Sequence, residues 1–310
     1  MNALVTGATG TLGRKLLRAL SPAVVLVRDP VAAVKLPGAP RAFAWDSSRP
    51  VPPEALEGVD VVFHLAGEPV AEGRWTADKK ARIRQSRVDG TRAIVDALLR
   101  DTSWPRVLVS ASAVGFYGSR GDEVLDERAA RGEGYLAEVC AAWEAEAQRA
   151  SASVRVVTAR IGIVLSAEGG ALAKMLPAYR LGVGGPLAGG RQWMPWVHED
   201  DVVGMLLHAA ANRSVVGPMN VTSPEPARNR DFSDALGAAV GRPALLPVPR
   251  LALRVSLGEL ADVVLASQRV VPAVAQETGY RFREPSLAHA LASVTGDQAG
   301  VPRHEAGARA

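Results

Sequence analysis

The chain has 310 residues, 48% of them hydrophobic and 22% charged, a balance that predicts a soluble globular protein with room for one large domain, or a domain and a lobe. It has neither an apolar run of membrane-spanning length nor a signal-peptide pattern, and Cys140 is its only cysteine, so we expect a cytoplasmic protein without disulfides or a membrane partner. The formal net charge is only +4 and the basic residues are scattered apart from 79–87, which disfavours nucleic-acid binding, and we predict no metal site.

The first predicted elements are a strand, a glycine turn and a helix. Residues 2–5 form an apolar strand pattern, and the leucines of residues 12–20 share one face of a helix. Between them, Gly7 allows a sharp exit from the strand, Gly10 lets the backbone approach a pyrophosphate, and Gly13 lets the helix lie close to the sheet. The helix N-terminus offers free N–H groups and partial positive charge to phosphates. This pattern predicts a dinucleotide-binding turn.

The second strand, over residues 24–27, ends at Arg28 and Asp29. These residues follow the first glycine by about 20 positions, where dinucleotide-binding folds contact the adenosine ribose. An acidic residue there would accept from the 2′-hydroxyl of NAD, whereas an arginine would pair with the 2′-phosphate of NADP. Because Arg28 comes first, we predict NADP, with NAD as the alternative and Arg14 as a second phosphate partner.

Two further strands are predicted over residues 41–45 and 59–65. Asp46 follows the first of them, where it either accepts from the adenine amino group or caps a turn. The second ends in the small residues Ala66 and Gly67, which let a cofactor lie across the sheet edge.

Strands and helices continue to alternate as far as residue 165. The predicted elements are a helix over 76–100, a strand over 107–110, a helix over 133–149 and a strand over 154–163. The alternation predicts a doubly wound parallel sheet of the α/β class, with helices on both faces.

Beyond about residue 166, glycine-rich loops interrupt the pattern. The elements predicted there are a helix that Asp200 or Asp201 caps and that ends at Ala211, a strand over 219–222, a helix over 230–240 and a mostly helical segment over 249–296.

The pattern divides the chain into two parts. We predict an NADP-binding core over residues 1–165, to which the segment 192–222 returns, and a smaller mixed α/β substrate lobe over 166–297. The lobe includes an extension over 249–297, and residues 298–310 are predicted to be a disordered tail.

A series of ordered motifs runs along almost the whole chain. They occupy residues 6–13, 64–69, 74–76, 83–91, 112–118, 135–144, 193–201 and 267–272. Together they resemble the extended short-chain dehydrogenase/reductase superfamily, and more narrowly its NAD-dependent epimerase/dehydratase-like, or nucleoside-diphosphate-sugar epimerase-like, branch. The resemblance implies a Rossmann fold, a bound nicotinamide dinucleotide and a C-terminal extension particular to that branch.

The resemblance also implies a catalytic serine, a tyrosine and a lysine four residues after the tyrosine. Ser112 matches the serine and Tyr135 the tyrosine, but Val139 stands where the lysine is expected. A register shifted by one residue, which matches the glutamate that usually follows, puts Leu136 and Cys140 at the two positions. The tyrosine–lysine pair is therefore absent in both registers, and an aliphatic side chain replaces neither its charge nor its hydrogen bond.

Three interpretations of this absence remain open. Tyr135 works without its lysine, with Arg87 or Arg160 supplying the positive charge. Alternatively, another group carries the proton, and the candidates are Tyr117, Glu68, Glu138 and His198. In the third interpretation the site binds its cofactor without redox turnover.

The predicted cofactor-binding residues combine the glycine turn, the strand ends and the basic residues near them. They are Gly7, Thr9, Gly10, Thr11, Leu12, Gly13, Arg28, Asp46, Leu65, Ala66, Gly67, Glu68, Arg87, Ser110, Ala111 and Arg160. Trp75, Trp193 and Trp196 are predicted either to line a substrate pocket or to pack between the lobe and the sheet.

We therefore expect an NADP-binding oxidoreductase or epimerase that acts on a small hydroxyl or carbonyl substrate, such as a sugar nucleotide or a biosynthetic intermediate. The alternatives are a non-redox NADP-binding sensor or scaffold, and a lyase or isomerase that reuses the fold. A homodimer formed through two long helices is the assembly that the superfamily implies.

Overall fold

The computed structural model describes residues 1–20, 22–38, 40–100 and 106–296. The tail predicted over 298–310 lies outside the described residues. The strands are β1 (Ala3–Thr6), β2 (Ala23–Val27), β3 (Arg41–Ala44), β4 (Val61–His64), β5 (Val107–Ala113), β6 (Val124–Leu125), β7 (Arg155–Ile161), β8 (Ile163–Leu165), β9 (Trp193–Met194), β10 (Trp196–His198), β11 (Gly217–Val221), β12 (Ala227–Arg228) and β13 (Arg269–Val270). The helices are α1 (Thr11–Ala19), α2 (Ala77–Arg100), α3 (Tyr135–Gln148), α4 (Gly170–Arg180), α5 (Glu199–Ala211), α6 (Asn229–Ala239), α7 (Arg250–Leu257), α8 (Leu260–Val264), α9 (Ala273–Glu277) and α10 (Leu287–Thr295).

Seven strands form one parallel sheet in the order β11-β7-β5-β4-β1-β2-β3. The predicted doubly wound α/β fold is thus confirmed. Strand β1 lies between β2 and β4, so the chain builds the sheet outward from β1 in both directions. In such sheets the crevice at the carboxyl ends of the strands, at the point where the order reverses, is where ligands bind.

The two faces of the sheet are covered by different helices. Leu4 of β1 belongs to a core with Ile94 and Leu98 of α2, whereas its neighbour Val5 belongs to a core with Leu16 of α1. Successive side chains of a strand point to opposite faces, and burial on both faces explains why these strands are continuously apolar. The sheet is therefore a rigid layer that fixes the position of every loop at its edge.

The C-terminal part of the chain builds a second, smaller layer. Two-stranded pairs β10-β8, β12-β9 and β13-β6 join segments that are distant in sequence. A separate core there contains the fully buried side chains of Trp196, Phe232 and Leu291. Because β13 pairs with β6, the terminal segment is attached directly to the loop that follows β5.

Asp201 fastens the terminal segment to α5. Its buried carboxylate accepts hydrogen bonds from the hydroxyl of Tyr280 at 2.9 Å and from the backbone N–H groups of Arg283 at 2.8 Å and Glu284 at 2.9 Å. A buried carboxylate is tolerated when donors satisfy it in this way.

Two predicted details are wrong. Helix α5 is capped by His198 and not by Asp200 or Asp201, because the imidazole Nδ1 accepts from the N–H of Asp200 at 3.1 Å. The strand predicted over 154–163 is divided at Gly162, where a Cβ would lie 2.1 Å from the carbonyl oxygen of Pro195. Beyond Gly162 the chain leaves the main sheet, and β8 pairs with β10.

Among the helices in the described ranges, none is both long and apolar enough to cross a membrane. In that same part of the chain, no group of three His, Cys, Asp or Glu side chains is placed to hold a metal ion.

Candidate functional site

The glycine turn lies at the carboxyl end of β1, and its glycines have different surroundings. Gly7 has φ +68°, and a Cβ there would lie 2.8 Å from the carbonyl carbon and oxygen of Leu65. A Cβ on Gly13 would lie 2.2 Å from the carbonyl oxygen of Gly7. A Cβ on Gly10 would meet only that same oxygen, at 3.4 Å, so the space beside Gly10 is open. Two glycines are required by packing, and the third leaves room for a ligand.

The N-terminus of α1 completes this turn. Gly10 is the N-cap residue, no side chain caps the helix, and no acidic residue stands in its first turn. The partial positive charge of the helix end is therefore not neutralised locally, which suits a phosphate. The loop after β8 lies close by, since a Cβ on Gly169 would be 2.5 Å from Oγ1 of Thr11. Thr9 and Gly10 are exposed, and Leu12 is half-buried.

A buried network fixes the neighbouring end of β4. Oγ1 of Thr6 accepts from the N–H groups of Leu65 and Ala66, both at 3.1 Å, and shares a hydrogen bond with Nδ1 of His64 at 2.8 Å. The imidazole Nε2 shares a second hydrogen bond with the hydroxyl of Thr91 at 3.1 Å. Burial lowers the pKa of His64 to about 4, so the ring is neutral at neutral pH. The network holds the stretch from Leu65 onward against the glycine turn.

Arg28 and Asp29 differ in their engagement at the end of β2. The Asp29 carboxylate accepts from the N–H of Val31 at 3.0 Å and of Ala32 at 3.3 Å, so it caps the turn that follows. The Arg28 side chain is exposed and has no partner among the described residues, and Arg14 is exposed as well. The charge that remains available at this position is positive.

Asp46, at the end of β3, forms a local turn. Its Oδ1 accepts from the N–H of Ser48 at 2.9 Å, and its Oδ2 lies 3.3 Å from the guanidinium of Arg49. The hydrogen bonds from Ser48 lower the pKa of the Asp46 carboxyl. Of the two roles predicted for Asp46, the structure shows the turn cap.

Glu68, beyond the end of β4, is held in an ion pair. Its Oε1 lies 2.7 Å from Nζ of Lys79 and 3.6 Å from Nε of Arg82. The hydrogen bond from Lys79 lowers the pKa of the Glu68 carboxyl, so this group is a poor proton donor at neutral pH. Glu138, the other acidic candidate, is exposed on α3.

Ser112 points into a buried network that joins β5, α3, β7 and β11. Its hydroxyl donates to Oε1 of Glu144 at 2.6 Å, and Arg160 donates to the two oxygens of that carboxylate at 2.9 Å and 2.8 Å. Arg160 also donates to the hydroxyl of Tyr117 at 2.9 Å, which donates to Oδ1 of Asn220 at 2.7 Å. Burial raises the pKa of Tyr117 to about 12. These groups are enclosed and satisfied by one another.

Tyr135 lies at the start of α3 and faces α2. Its hydroxyl donates to the backbone carbonyl of Lys80, and its ring packs edge-on against Trp75 with ring centroids 5.4 Å apart. The indole N–H of Trp75 donates to the carbonyl of Val70 at 2.9 Å. Burial raises the pKa of Tyr135. The hydroxyls of Tyr135 and Ser112 are therefore bonded to different groups, the carbonyl of Lys80 and the carboxylate of Glu144.

Leu136 and Cys140 occupy the face of α3 that lies against the loop after β5. A Cβ on Gly115 would be 3.2 Å from Cβ of Leu136 and 3.8 Å from Sγ of Cys140. Burial raises the pKa of the Cys140 thiol to about 12. These are the two positions that the shifted register assigns to the missing tyrosine and lysine, and both carry side chains that are uncharged at neutral pH.

Arg87 of α2 extends toward the same region. Its Nη1 donates to the carbonyl oxygens of Glu68 at 3.0 Å and Ile83 at 3.2 Å. The guanidinium lies 5.1 Å from the ring centroid of Trp143, and a Cβ on Gly67 would be 3.3 Å from its Cζ. Ser110 and Ala111, within β5, are buried.

The remaining predicted site residues lie in the C-terminal layer. Trp196 is fully buried and donates from its indole N–H to the carbonyl of Glu225 at 2.9 Å, so it packs in the core and cannot line an open pocket in this conformation. The ring centroid of Trp193 lies 4.4 Å from Cζ of Arg228 and 4.7 Å from Cζ of Arg269, so both guanidiniums pack over the indole. His198 caps α5, and its Nε2 lies 3.2 Å from the hydroxyl of Ser293.

Sequence reasoning missed the residues that hold the site together. The motif over 135–144 ends at Glu144, the glutamate that the shifted register matches, but nothing in the sequence indicates its bonds to Ser112 and Arg160. Asn220 has no recognisable sequence signal. Thr6 stands in the glycine turn, but its bonds to β4 depend on strand order, which a sequence pattern does not give.

Comparison with known proteins gives consistent matches. Residues 3–221 match the NAD dependent epimerase/dehydratase family, and residues 248–294 match a domain of unknown function, DUF1731. The chain is 40% identical to "Epimerase family protein SDR39U1 homolog, chloroplastic" of Arabidopsis thaliana, over 95% of this chain and 86% of that protein.

Two solved structures are similar in sequence and fold. A crystal structure of the human epimerase family protein SDR39U1 (isoform 2) with NADPH has a TM-score of 0.87 and 31% identity, and covers 96% of this chain and 100% of that one. A nucleoside-diphosphate sugar epimerase from Corynebacterium glutamicum has a TM-score of 0.77 and 32% identity, and covers 96% of this chain and 58% of that one.

Proposed function

Because this chain belongs to the NAD-dependent epimerase/dehydratase family, we propose that it binds NADPH and acts as an oxidoreductase or epimerase on a small molecule with a hydroxyl or carbonyl group. The observation that favours NADPH over NADH is the difference between Arg28 and Asp29 at the end of β2. Asp29 is engaged by backbone N–H groups, whereas Arg28 is exposed, has no partner among the described residues, and would meet a 2′-phosphate.

The residues present fit such a cofactor. The open space beside Gly10 and the uncapped N-terminus of α1 would hold the pyrophosphate. The stretch from Leu65 to Gly67, fixed by Thr6, would lie beneath the cofactor at the strand edge. When bound, the nicotinamide would supply or accept a hydride.

The substrate class is a wider proposal. The human relative was crystallised with NADPH, and the Corynebacterium structure is described as a nucleoside-diphosphate sugar epimerase. We extend these ligand classes to this chain, so sugar nucleotides are the first substrates to test. In the same proposal, residues 1–165 with 192–222 form the cofactor core, and residues 166–297 supply the substrate lobe.

A second candidate function is binding of NADPH without turnover. It is favoured by the hydroxyl of Tyr135, which is bonded to the carbonyl of Lys80, and by Leu136 and Cys140 at the positions of the usual pair. A proton-transfer group normally contributes about 100-fold or more to such reactions. No observation favours a lyase over these two, because Glu68 is paired with Lys79.

Fluorescence titration with NADPH and NADH tests the cofactor proposal. We expect saturable binding of NADPH that is tighter than binding of NADH, and failure to bind either would contradict the proposal. Two assays then separate the two functions: absorbance of NADPH with a panel of ketones and aldehydes detects net oxidation, and NMR of sugar nucleotides incubated with the protein and NADP detects epimerisation. Oxidation or epimerisation supports the enzyme, whereas tight binding with no turnover of any member supports the non-redox alternative.

A further inference from the structure

We propose that Arg87 takes the place of the absent lysine, as the cation that holds the ribose hydroxyls of the nicotinamide half of the cofactor. This inference rests on the proposed binding of NADPH. It assigns Arg87 a positioning role and not the donation of a proton.

The position of Arg87 follows from the order of the strands. Arg28, which is proposed to meet the adenosine end, follows β2, on one side of β1. Gly67 follows β4 and Gly115 follows β5, both on the other side. Because a dinucleotide lies across the reversal point, its two halves fall on opposite sides of β1. The Arg87 guanidinium beside Gly67 is therefore on the nicotinamide side.

One nitrogen of the Arg87 guanidinium is hydrogen-bonded within the protein, and the other two have N–H groups without an acceptor in the described part of the chain. Nη1 is bound to the carbonyls of Glu68 and Ile83, and the group packs against Trp143, so its orientation is set. Nε and Nη2 have no acceptor among the described residues. An arginine has five N–H donors and keeps its proton in proteins, so a half-buried guanidinium with unused donors needs further acceptors. Neutral ribose hydroxyls can supply them.

Three other cations near these strand ends are already paired with carboxylates. Arg160 is bound by both carboxylate oxygens of Glu144, and Lys79 is paired with Glu68. Lys80 lies 2.8 Å from the carboxylate of Glu259. Of the two arginines that the sequence offered as substitutes for the lysine, Arg160 is enclosed in the protein and Arg87 is the one beside the strand edge.

Arg87 can replace the absent lysine in only one of the lysine's two roles. A lysine on α3 would both hold the ribose and lower the pKa of a neighbouring tyrosine. Arg87 approaches from α2, where its fork can donate to two oxygens. Both Cys140 and Tyr135 of α3 lie near its charge, but the hydroxyl of Tyr135 is bonded to the carbonyl of Lys80. The retained half of the function is ribose binding.

The test compares two ligands that share the adenosine end. NADPH contains both halves, whereas adenosine 2′,5′-bisphosphate lacks the nicotinamide half. Their dissociation constants are measured by calorimetry for the wild type, Arg87→Met, and the control Arg84→Met, which removes an exposed arginine of the same helix. We expect Arg87→Met to weaken NADPH binding about tenfold or more and to change binding of the fragment less than twofold. Arg84→Met should change neither.

Wild-type affinity of Arg87→Met for NADPH would overturn the inference, and so would an equal loss for both ligands in a folded variant. If Arg87→Met does not fold, the ratio of the two dissociation constants is measured for Arg87→Gln, which keeps a polar side chain but neither the charge nor the fork. Weaker binding of NADPH with unchanged binding of adenosine 2′,5′-bisphosphate supports the inference. An unchanged ratio of the two dissociation constants contradicts it. If the wild type binds neither ligand, the proposed function fails instead, so the two failures are distinguishable.

Discussion

The hydroxyl of the buried Ser112 donates to the carboxylate of Glu144 across 2.6 Å. The same carboxylate accepts hydrogen bonds from Nε and Nη2 of Arg160. Ser112 therefore serves first as a partner of a buried ion pair, although its place near the end of β5 matches a catalytic serine. Three strands and α3 meet at this network, which suggests that its main contribution is to stability.

Replacing Glu144 tests that contribution. Glu144→Gln keeps the shape but leaves Arg160 as a buried cation without its counter-charge, so we expect the free energy of unfolding to fall by about 3 kcal/mol or more. Urea denaturation measures the change. The control is Glu146→Gln on the same helix, whose partners Arg92 and Arg149 are exposed, and we expect it to cost less than about 1 kcal/mol. Equal losses would show that Arg160 finds another partner.

Tyr135→Phe separates structure from catalysis. The hydroxyl is bonded to the carbonyl of Lys80, so its removal should lower the free energy of unfolding by about 1 kcal/mol. We expect the dissociation constant for NADPH to stay within about twofold of wild type, measured by fluorescence. If any detected turnover falls by about 100-fold, the hydroxyl reaches the substrate in a conformation different from this one.

The glycine turn offers a matched pair of variants. In Gly13→Ala the new methyl would lie 2.2 Å from a backbone oxygen, so the backbone must shift and we expect a loss of about 2 kcal/mol or more of stability. Gly10→Ala has an ordinary 3.4 Å contact and a negative φ, so its stability should change by less than about 0.5 kcal/mol. Its affinity for NADPH should nevertheless fall, because the methyl occupies the space proposed for the pyrophosphate. Wild-type affinity of Gly10→Ala would mean that the cofactor lies elsewhere.

His64 should make stability depend on pH. Its pKa is about 4 in the folded protein and about 6.5 when unfolded, so between these values the unfolded state binds more protons. The free energy of unfolding should therefore be fully present above about pH 6.5 and decrease as pH falls toward 4, by about 3 kcal/mol in total. Denaturation of wild type and His64→Gln between pH 4 and 7 measures the difference. Parallel curves for the two proteins would exclude His64 as the cause.

The fold was predictable because the strands and helices that form the sheet and its covering layers each have a recognisable local sequence pattern. Apolar strands buried on both faces, the glycine turn and the long helix over 76–100 are all visible in short windows of sequence. The division of the strand at Gly162 was not predictable, because it depends on the carbonyl of Pro195 that crosses there. The cap of α5 was mispredicted for a similar reason, since aspartates usually cap helices and here Asp201 holds the terminal segment.

The candidate site was predictable only where the backbone defines it. Gly7, Gly10 and Gly13 have roles that follow from spacing, and their geometry agrees with those roles. The directions in which Tyr135 and Trp196 point depend on tertiary contacts, so a sequence motif could name these residues without showing what they bind. The roles of Arg28 and Arg87 remain predictions.

The most direct test of the account is the cofactor preference of the wild type and of Arg28→Ala. A charge-assisted contact to the 2′-phosphate is worth about 1.5–3 kcal/mol, or roughly 10- to 100-fold in affinity. We predict that the wild type binds NADPH at least about tenfold more tightly than NADH, and that Arg28→Ala loses most of this preference while its affinity for NADH is unchanged. Equal affinity of the wild type for the two cofactors, or a preference that Arg28→Ala retains, would contradict the account.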